Sequence, residues 1–534
     1  MGGAQPSANF MRTDQEPTQQ FGMFCNWEFC DSIYDYKPAM SKEDSRALTT
    51  MKESICLRKG HYEIALPWRE DVPCLLNNRT LAEHCLKLLR RRLLRNPELH
   101  WKYSSFINSL FVKGHARRGP ENQLEHPVGP VWYLPHHPVM NPNKPDKVRV
   151  VADCAARYDG VCLISTLLQG PDLANNLIGV LTLFRQEPLA VMADIEGMFH
   201  QVYVNPKDCN ALRFLWWLGN DLNSDPAEHQ MLMHLFGPTS SPSCANFGLR
   251  RTADDNQDVF SKEVIDTVRR NFYVDDCLKS VRDEVKAIPL VPDLSKLLSK
   301  GGFRLTKWIS NSRRVIEYLP ISERAVSVKD HLPIERALGV RWDVGSNTLG
   351  FRITLKDRPS ARRGILSVVS SVYDPLGFTA PFILPAKRIL QDLSWRGLGW
   401  DTLVSIDDLP RLESLKVKCC FMPAEFGEVA SCQIHHFADA SQFAYGAVSY
   451  LRITNTQGAI YCSFLIGKSR LSPLKQLTLL RLEFCAAEVA TQLEKMVRRE
   501  IDMQINESVF WTDIACVLGY ISNESKRSHS FGSE

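Results

Sequence analysis

The chain has 534 residues, of which 44% are hydrophobic and 9% aromatic, and this composition excludes a disordered or fibrous protein. Because a single hydrophobic core rarely serves more than about 300 residues, the length predicts several domains. The formal net charge is only +4, so a nucleic-acid surface would have to come from local clusters of basic residues. The 16 cysteines lack the spacing of zinc ligands and predict reduced thiols.

The N-terminal part of the sequence predicts a flexible start followed by helices. Residues 1–20 are polar and predict a disordered leader without the apolar segment of a signal peptide. Ser41 is a predicted helix cap, and GHYEIALPWR at 60–69 predicts a short strand. Residues 81–118 have helical periodicity and many basic side chains, which form either a solvated helix face or a phosphate-binding surface.

The middle of the chain alternates between predicted strands and helices. A loop at 119–130 precedes two strands, VWYLPHHPV and KVRVVADCA. A helix at 172–186 leads into the apolar strand LAVMADIEGMF, and a further strand is predicted at 211–218. The turn-rich start of 236–256 then leads into a helix, and NFYVDDCLKS at 271–280 predicts a β-hairpin.

The C-terminal half predicts mixed structure and then a separate small domain. A hairpin turn is predicted at Gly345–Asn347, and 360–395 is predicted to be helical around a Pro-Leu-Gly break. A change of composition at 400–430 predicts a linker. Beyond it, the order β-β-β-α-β-α predicts an α/β domain over 430–534. No run of residues is long and apolar enough to predict a membrane span.

Two adjacent acids, Asp275 and Asp276, lie at the tip of the predicted hairpin. Asp194 ends an apolar strand that would not otherwise accept a charge. If that strand pairs with the hairpin, the three carboxylates converge at one sheet edge, where they could bind two divalent cations for phosphoryl transfer. Taken singly, a strand-end aspartate or an Asp-Asp turn is more often a solvated turn or a helix cap.

A second set of acids lies in the predicted C-terminal domain. Asp439 and Asp513 each follow a predicted strand, and Glu483 lies on the long predicted helix. Three acids at two strand ends and a neighbouring helix could hold two Mg²⁺ ions and direct water at a phosphodiester. Glu488, five residues after Glu483, should face elsewhere on the helix and is predicted to be exposed.

Several of these segments occur in the order found in one family of retroelements. They are VADCAARYDG, LLQGPDLANNL, VMADIEGMFHQVYV, LRFLWW, HLFGPTSSPSCANFGLR and NFYVDDCLKS. Together they resemble the reverse transcriptase of Bel/Pao-type LTR retrotransposons, and the later D-A-S, R-L-E and W-T-D segments resemble retroelement ribonuclease H. The resemblance runs from about residue 20 to the C-terminus.

The resemblance implies an α+β fold class. It implies a right-hand polymerase with fingers, palm and thumb, followed by a C-terminally truncated ribonuclease H-like α/β domain. The expected domains are an N-terminal extension with fingers at 21–130, a fingers and palm core at 131–285, the remaining palm, thumb and connection at 286–425, and the ribonuclease H-like domain at 430–534.

The resemblance also implies roles for individual residues. The metal-binding catalytic acids would be Asp194, Asp275 and Asp276 in the polymerase and Asp439, Glu483 and Asp513 in the nuclease. The substrate-binding residues would be Arg149, Phe199, Ser241, Pro242, Tyr273 and Val274. Within this set, Arg149 would grip the triphosphate, Phe199 would exclude a ribose 2′-hydroxyl, and Ser241–Pro242 would line the nucleotide and template.

Tyr273 and Val274 would pack beneath the primer end. Phe236 departs from the retroviral pattern, which often has glutamine at this position, and VCLISTLLQG lacks an expected Ser-Leu-Asn. No acid after Asp513 lies in the context of the fourth ribonuclease H acid, so the nuclease region is expected to be degraded or incomplete.

The expected function is therefore that of an RNA-directed DNA polymerase with two Mg²⁺ (or Mn²⁺) ions per active site. Its expected partners are an RNA template, an RNA–DNA hybrid, a DNA primer and dNTPs, with no membrane partner and an open oligomeric state. The expected location is intracellular, either cytoplasmic in a virus-like particle or nuclear, and not secreted. The alternatives are a catalytically silent, transposon-derived remnant that at most binds nucleic acid, and a metal-dependent nuclease without polymerase activity.

Overall fold

The computed structural model describes residues 40–70, 75–120, 129–141, 144–325, 334–351, 361–403, 415–474, 477–515 and 518–519. The predicted leader at 1–20 and most of the predicted loop at 119–130 lie outside these residues. Within the described part of the chain, no helix has the length and apolar character needed to cross a membrane. The described cysteines are all free thiols, as predicted.

The fold is α+β. Its helices are Lys42–Ser54, Arg79–Arg95, Pro97–Val112, Leu163–Thr166, Leu177–Phe184, Ser241–Asp255, Lys262–Arg270, Glu284–Lys300, Arg313–Glu317, Arg362–Ser371, Ala380–Trp395 and Leu479–Glu500. Short 3₁₀ turns occupy Met198–Gln201, Cys209–Leu212, Leu218–Asn220 and Ile321–Glu323.

The strands are numbered along the chain. They are β1 (Cys56–Arg58), β2 (His61–Ile64), β3 (Ala116–Arg118), β4 (His136–Asn141), β5 (Lys144–Ala152), β6 (Leu189–Ile195), β7 (Tyr203–Val204), β8 (Arg213–Trp217), β9 (Pro226–Met231), β10 (Phe272–Tyr273), β11 (Asp276–Val281), β12 (Leu305–Ser310), β13 (Ile334–Ala337), β14 (Val340–Asp343), β15 (Thr348–Phe351), β16 (Leu415–Lys418), β17 (Val429–Ala440), β18 (Ala444–Asn455), β19 (Ile460–Leu471) and β20 (Glu507–Trp511).

These strands form several small sheets rather than one large one. The N-terminal half contains the sheets β1–β2–β7 and β3–β9–β8 and the hairpin β4–β5. The central sheet has the order β10–β11–β6–β12, with all neighbours antiparallel. The C-terminal half contains the antiparallel sheet β13–β14–β15–β16 and the mixed sheet β19–β18–β17–β20.

The C-terminal sheet packs against the helix Leu479–Glu500 through one face. Along β17 the side chains of Cys432, Ile434, His436 and Ala438 are buried, and the residues between them are more exposed. This alternation places one face of the strand against the helix and leaves the other toward solvent. β17 and β20 run parallel, with Phe437 opposite Trp511.

Asparagine side chains move the ends of two predicted helices. The helix predicted at 172–186 begins only at Leu177, because the Asn176 side chain accepts hydrogen bonds from the backbone amides of Ile178 and Gly179. The helical stretch predicted at 81–118 is broken at Asn96, whose side chain caps the next helix just before Pro97.

The segment predicted as a linker at 400–430 contains part of a sheet. Its strand β16 pairs with β15, with Val417 opposite Leu349. Residues 404–414 lie outside the described residues. One hydrophobic cluster includes Leu181 of the helix Leu177–Phe184, Leu349 of β15 and Leu451 of the C-terminal sheet. The C-terminal sheet is therefore not separated from the rest of the fold by a free linker.

Candidate functional site

The hairpin of β10 and β11 turns through two residues. Tyr273 pairs with Asp276, so Val274 and Asp275 form the turn between the strands. Val274 has a φ of 56°, a left-handed conformation that is rare for a β-branched residue. Backbone strain of this kind persists only where the surrounding fold imposes it, and it is frequent at functional sites.

Strand pairing brings the three predicted acids to one edge of the central sheet. In the β11–β6 ladder Asp276 lies directly opposite Asp194. The Ile195 amide donates a hydrogen bond of 2.8 Å to the Asp275 carbonyl, which joins the turn to the end of β6. Directly opposed residues in an antiparallel pair have Cα atoms about 4.5–5.5 Å apart. The predicted convergence of Asp194 with the Asp-Asp turn is therefore present in the structure.

The carboxylates at this edge are partly buried and repel one another. Burial, together with repulsion from Asp275 and Asp194, raises the pKa of Asp276 to about 7. Burial and the charge of Asp194 also raise the pKa of Asp275. Such a site favours either a bound proton or a bound cation. The donor set, carboxylates from two strands, is the type that binds Mg²⁺.

A lysine that the sequence did not single out contacts this site. The Lys307 Nζ atom lies 2.9 Å from Asp194 Oδ1, and its charge offsets only part of the rise in the pKa values of Asp275 and Asp276. Lys307 has a φ of 56° and lies in the irregular part of β12 between Thr306 and Ile309. The bulge shifts the register there, and no sequence pattern predicted it.

Arg149 and Phe199 occupy different parts of the structure. Arg149 is exposed on β5, opposite Val139 of the β4–β5 hairpin. Phe199 lies in the 3₁₀ turn after β6 and is partly buried. Its ring centroid is 4.5 Å from that of Phe236, which is 52% exposed. Phe236, which stands where the retroviral pattern often has glutamine, therefore packs against Phe199, the residue predicted to exclude a 2′-hydroxyl.

The other predicted substrate-binding residues differ in exposure. Ser241 begins the helix Ser241–Asp255 and is fully buried, and Pro242 beside it is exposed. Only Pro242 of this pair presents its side chain to solvent. Tyr273 is partly buried, and burial raises the pKa of its hydroxyl. Val274 is also partly buried and contacts the core beneath the hairpin.

The second acid set lies at the C-terminal end of two parallel strands. Asp439 is near the end of β17, Asp513 follows β20, and Glu483 is in the first turns of the helix Leu479–Glu500. Among the described residues, this is the only group of three acidic, histidine or cysteine side chains with ligand atoms all within 4.8 Å of one another. The ligand atoms of Asp194, Asp275 and Asp276 do not all lie within 4.8 Å of one another.

Glu483 is the buried member of this group, and its exposed fraction is 2%. Its Oε1 atom accepts a 3.2 Å hydrogen bond from the Ala440 amide, and its buried Oε2 atom has no hydrogen-bond partner among the described residues. Burial and the charges of Asp513 and Asp439 raise its pKa. A buried, unpartnered carboxylate oxygen between two further acids fits a divalent cation. Glu488 is exposed, as predicted.

The C-terminal part of the chain matches a known family. Residues 361–514 match the family described as Pao retrotransposon-like RNaseH-like domain. Over these residues, the match confirms the Bel/Pao resemblance predicted from the motifs. No curated protein matches the chain.

Solved structures of foamy viral enzymes are similar to the chain. One is the protease-reverse transcriptase dRH in complex with double-stranded DNA, with 12% identity and a TM-score of 0.49, covering 98% of this chain and 80% of that chain. Another is the protease-reverse transcriptase in complex with an RNA/DNA hybrid, with 14% identity and a TM-score of 0.45, covering 94% of this chain and 58% of that chain.

Proposed function

We propose that this chain is an RNA-directed DNA polymerase of retrotransposon origin with an associated ribonuclease H-like region. The observation that carries the proposal is the register of β11 and β6, which sets Asp276 opposite Asp194 beside the Asp275 turn. Burial and neighbouring carboxylates raise the pKa values of Asp275 and Asp276. Together with Asp194 on β6, these acids are suited to divalent cations and hence to phosphoryl transfer.

The polymerase proposal assigns a part of the fold to each subdomain. The central sheet β10–β11–β6–β12 would be the palm. The β4–β5 hairpin with Arg149 would belong to the fingers, and the remaining palm, thumb and connection would lie within 286–425. The domain at 430–534 would be the nuclease region.

The chemistry would be attack of a primer 3′-hydroxyl on the α-phosphate of a dNTP. Asp194, Asp275 and Asp276 would hold two Mg²⁺ or Mn²⁺ ions, which lower the pKa of the hydroxyl and neutralise charge on the leaving pyrophosphate. Arg149 would bind the triphosphate through its guanidinium group. The Phe199 ring would exclude a 2′-hydroxyl and so select deoxynucleotides.

Primer extension on poly(rA)/oligo(dT) with Mg²⁺ or Mn²⁺ tests this proposal. We expect incorporation of dTTP by the wild-type chain and a loss of at least about 100-fold in Asp275→Asn. Asp258→Asn is the matched control, because Asp258 is an exposed aspartate and should leave extension unchanged. Folded wild-type protein that incorporates no dTTP would refute the polymerase proposal and favour a silent remnant.

The Asp439, Glu483 and Asp513 group supports a second activity, cleavage of the RNA strand of an RNA–DNA hybrid. Its ligand atoms lie within 4.8 Å of one another, which suits a shared cation. We expect the full chain to cleave a labelled hybrid and Glu483→Gln to abolish cleavage. Glu488→Gln, an exposed change on the same helix, should cleave normally. Intact hybrid after incubation with folded wild type would refute this second activity and would agree with the degraded nuclease region that the sequence predicts.

A further inference from the structure

The helix Arg79–Arg95 concentrates positive charge to an unusual degree. Its 17 residues contain six lysines and arginines but only one acid, Glu83. The resulting charge of +5 exceeds the +4 of the entire chain. The chain therefore has no general excess of positive charge, and this helix is a local cluster.

The exposed side of this helix contains four of the cations, Lys87, Arg91, Arg92 and Arg95, which we call the basic face. At 100° per residue these four positions fall within a sector of about 140° and extend over about 12 Å of helix. The opposite side carries Leu86, Leu89 and Leu93, which are buried in the N-terminal core. The helix is thus fixed to the fold by one side and presents its cations on the other.

The basic face differs from the other cations of the same helix. Arg79 pairs with Glu83 and Glu228, and Arg90 donates hydrogen bonds to the Leu222 carbonyl and to Asn223. Within the described part of the chain, the four side chains of the basic face make no ion pair. Their charge is therefore not neutralised by an ion pair with any described residue. The helix C-terminus favours Arg92 and Arg95 through its dipole, but Lys87 and Arg91 lie before the last turn.

Apolar side chains are interleaved with these cations. Leu88 is 51% exposed and Leu94 is 52% exposed, and both fall within or beside the same sector of the helix. Trp101 follows Arg95 by six residues on the next helix, Pro97–Val112, and is 69% exposed. Trp101 is therefore an exposed aromatic residue close in sequence to the C-terminal end of the basic face. Cations for phosphates beside an aromatic ring for bases are the combination that binds single strands.

We propose that the basic face and Trp101 form a docking surface for single-stranded RNA. The cations contact the phosphates, and the Trp101 indole stacks on an unpaired base. The choice of RNA as the ligand rests on the proposed function, since a reverse transcriptase must hold its template strand. The surface itself contains none of the residues assigned to the polymerase or nuclease sites.

Fluorescence anisotropy of a labelled 20-nucleotide single-stranded RNA, measured with the full chain without Mg²⁺ over a series of salt concentrations, tests the proposal. Each phosphate contact to a single strand contributes about −0.7 to the slope of log affinity against log salt. The variant Lys87→Gln/Arg91→Gln/Arg92→Gln/Arg95→Gln should therefore reduce the magnitude of the slope by about 3. Trp101→Ala should weaken binding by about 5-fold or more without changing the slope.

The matched control is Lys42→Gln/Lys52→Gln/Lys300→Gln/Arg313→Gln, which removes the same charge from exposed positions elsewhere. Its slope should stay within about 1 of the wild type. An equal loss of slope in both variants, or an unchanged slope in the basic-face variant, would overturn the proposal. The same holds if Trp101→Ala weakens binding to duplex DNA of equal length as strongly as binding to RNA, because a stacked base requires an unpaired strand.

This binding readout is independent of synthesis. RNA binding with the expected slope but no primer extension would leave the docking surface standing and refute the polymerase proposal. Primer extension with unchanged RNA binding in the basic-face variant would refute the docking surface alone.

Discussion

Asp276 is a buried acid whose negative charge opposes folding. Its pKa of about 7 lies well above the ordinary value of an aspartate, because burial and two neighbouring carboxylates disfavour its charge. Between about pH 4 and pH 7 the native state thus holds a proton that the unfolded chain has lost. Native stability consequently falls as the pH rises through this window. A bound cation would offset this loss of native stability.

The variant Asp276→Asn should therefore be more stable than the wild type at pH 8 without Mg²⁺. A shift of roughly 3 pH units corresponds to at most about 4 kcal/mol, and we expect a thermal midpoint higher by a few degrees. The difference should vanish near pH 3, where the wild-type carboxyl is largely protonated in both states. Thermal unfolding followed by circular dichroism at both pH values measures this.

Addition of millimolar Mg²⁺ at pH 8 tests whether the charge of Asp276 causes the lower stability of the wild type. It should raise the wild-type midpoint and leave that of Asp276→Asn nearly unchanged. If Asp276→Asn is less stable than the wild type at pH 8 without Mg²⁺, the Asp276 carboxylate does not destabilise the native state.

At this scale, the sequence predicted the acids but not their environment. Asp194 could be identified because a charge at the end of an apolar strand requires a reason, and the Asp-Asp turn supplied a partner. Lys307 could not be identified, because its approach to Asp194 depends on a bulge in β12 and a positive φ. The contact between Phe199 and Phe236 was equally hidden, since the two residues are 37 positions apart and meet through tertiary packing.

At the scale of elements, a buried polar network joins the C-terminal sheet to its helix. His436 of β17 is within hydrogen-bond distance of Ser449 on β18 and of Glu494 on the helix, each at 2.8 Å. Glu494 also accepts hydrogen bonds from Arg498 and from Ser508 of β20. Burial alone would raise the pKa of Glu494, but the hydrogen bonds from His436, Ser508 and Arg498 outweigh it and lower the pKa to about 2.

The variant Glu494→Gln should destabilise the C-terminal domain in a pH-dependent way. An acid with a lowered folded pKa stabilises the fold fully above its unfolded pKa of about 4.3, and this contribution is lost as the pH falls toward 2. We expect a loss of about 2 kcal/mol in the free energy of unfolding at pH 7. The difference from wild type should shrink between pH 4 and pH 2, as measured by urea unfolding.

Glu488→Gln on the same helix is the control, because Glu488 is exposed and should change the free energy of unfolding by less than about 0.5 kcal/mol. A constant difference between Glu494→Gln and wild type from pH 7 to pH 2 would contradict the role of the charge.

The sequence predicted the type of most elements better than their ends. Apolar periodicity was sufficient for the hairpin at 271–280 and for the three long strands of the C-terminal sheet. The helix predicted at 172–186 starts late because of the Asn176 cap, and hydrophobic periodicity does not show where a side chain caps a helix. Strand β16 was missed because its partner β15 lies more than 60 residues earlier, and pairing over that distance leaves no local pattern.

At the scale of the whole molecule, a close backbone contact joins two parts of the chain. Gly377 lies between the helices Arg362–Ser371 and Ala380–Trp395 and packs on β19, where the Gly467 amide donates a 2.9 Å hydrogen bond to the Leu376 carbonyl. A Cβ atom at Gly377 would lie only 1.9 Å from the Gly467 carbonyl oxygen. Only glycine permits this approach.

Gly377→Ala should therefore lower the free energy of unfolding by more than about 2 kcal/mol. Gly458→Ala is a matched control, because both glycines have a φ of 81° but a Cβ at Gly458 would meet no atom within 4 Å. The difference between the two variants, measured by chemical denaturation, isolates the clash from the backbone strain. Equal losses in both would show that the contact with β19 contributes nothing.

A buried arginine links the central sheet region to the C-terminal sheet. Arg185 follows the helix Leu177–Phe184 and is 1% exposed. Its guanidinium donates hydrogen bonds to the carbonyls of Cys419, Phe464 and Leu465 at 2.8–3.0 Å. It also lies over the rings of Phe378 and Phe421. Burial lowers its pKa to about 10, so it keeps its charge at neutral pH.

Replacement of Arg185 by methionine should uncouple the regions that it joins. The change preserves most of the apolar volume but leaves three carbonyls without their donor, at a cost of about 1–3 kcal/mol each before relaxation. We expect hydrogen exchange to accelerate in peptides covering 415–421 and 460–471, and a single thermal transition to split into two. Arg396→Met, which removes an exposed ion pair with Asp392, should change neither readout. Unaltered exchange at 460–471 in Arg185→Met would mean that the two sheets are coupled through their shared hydrophobic cluster alone.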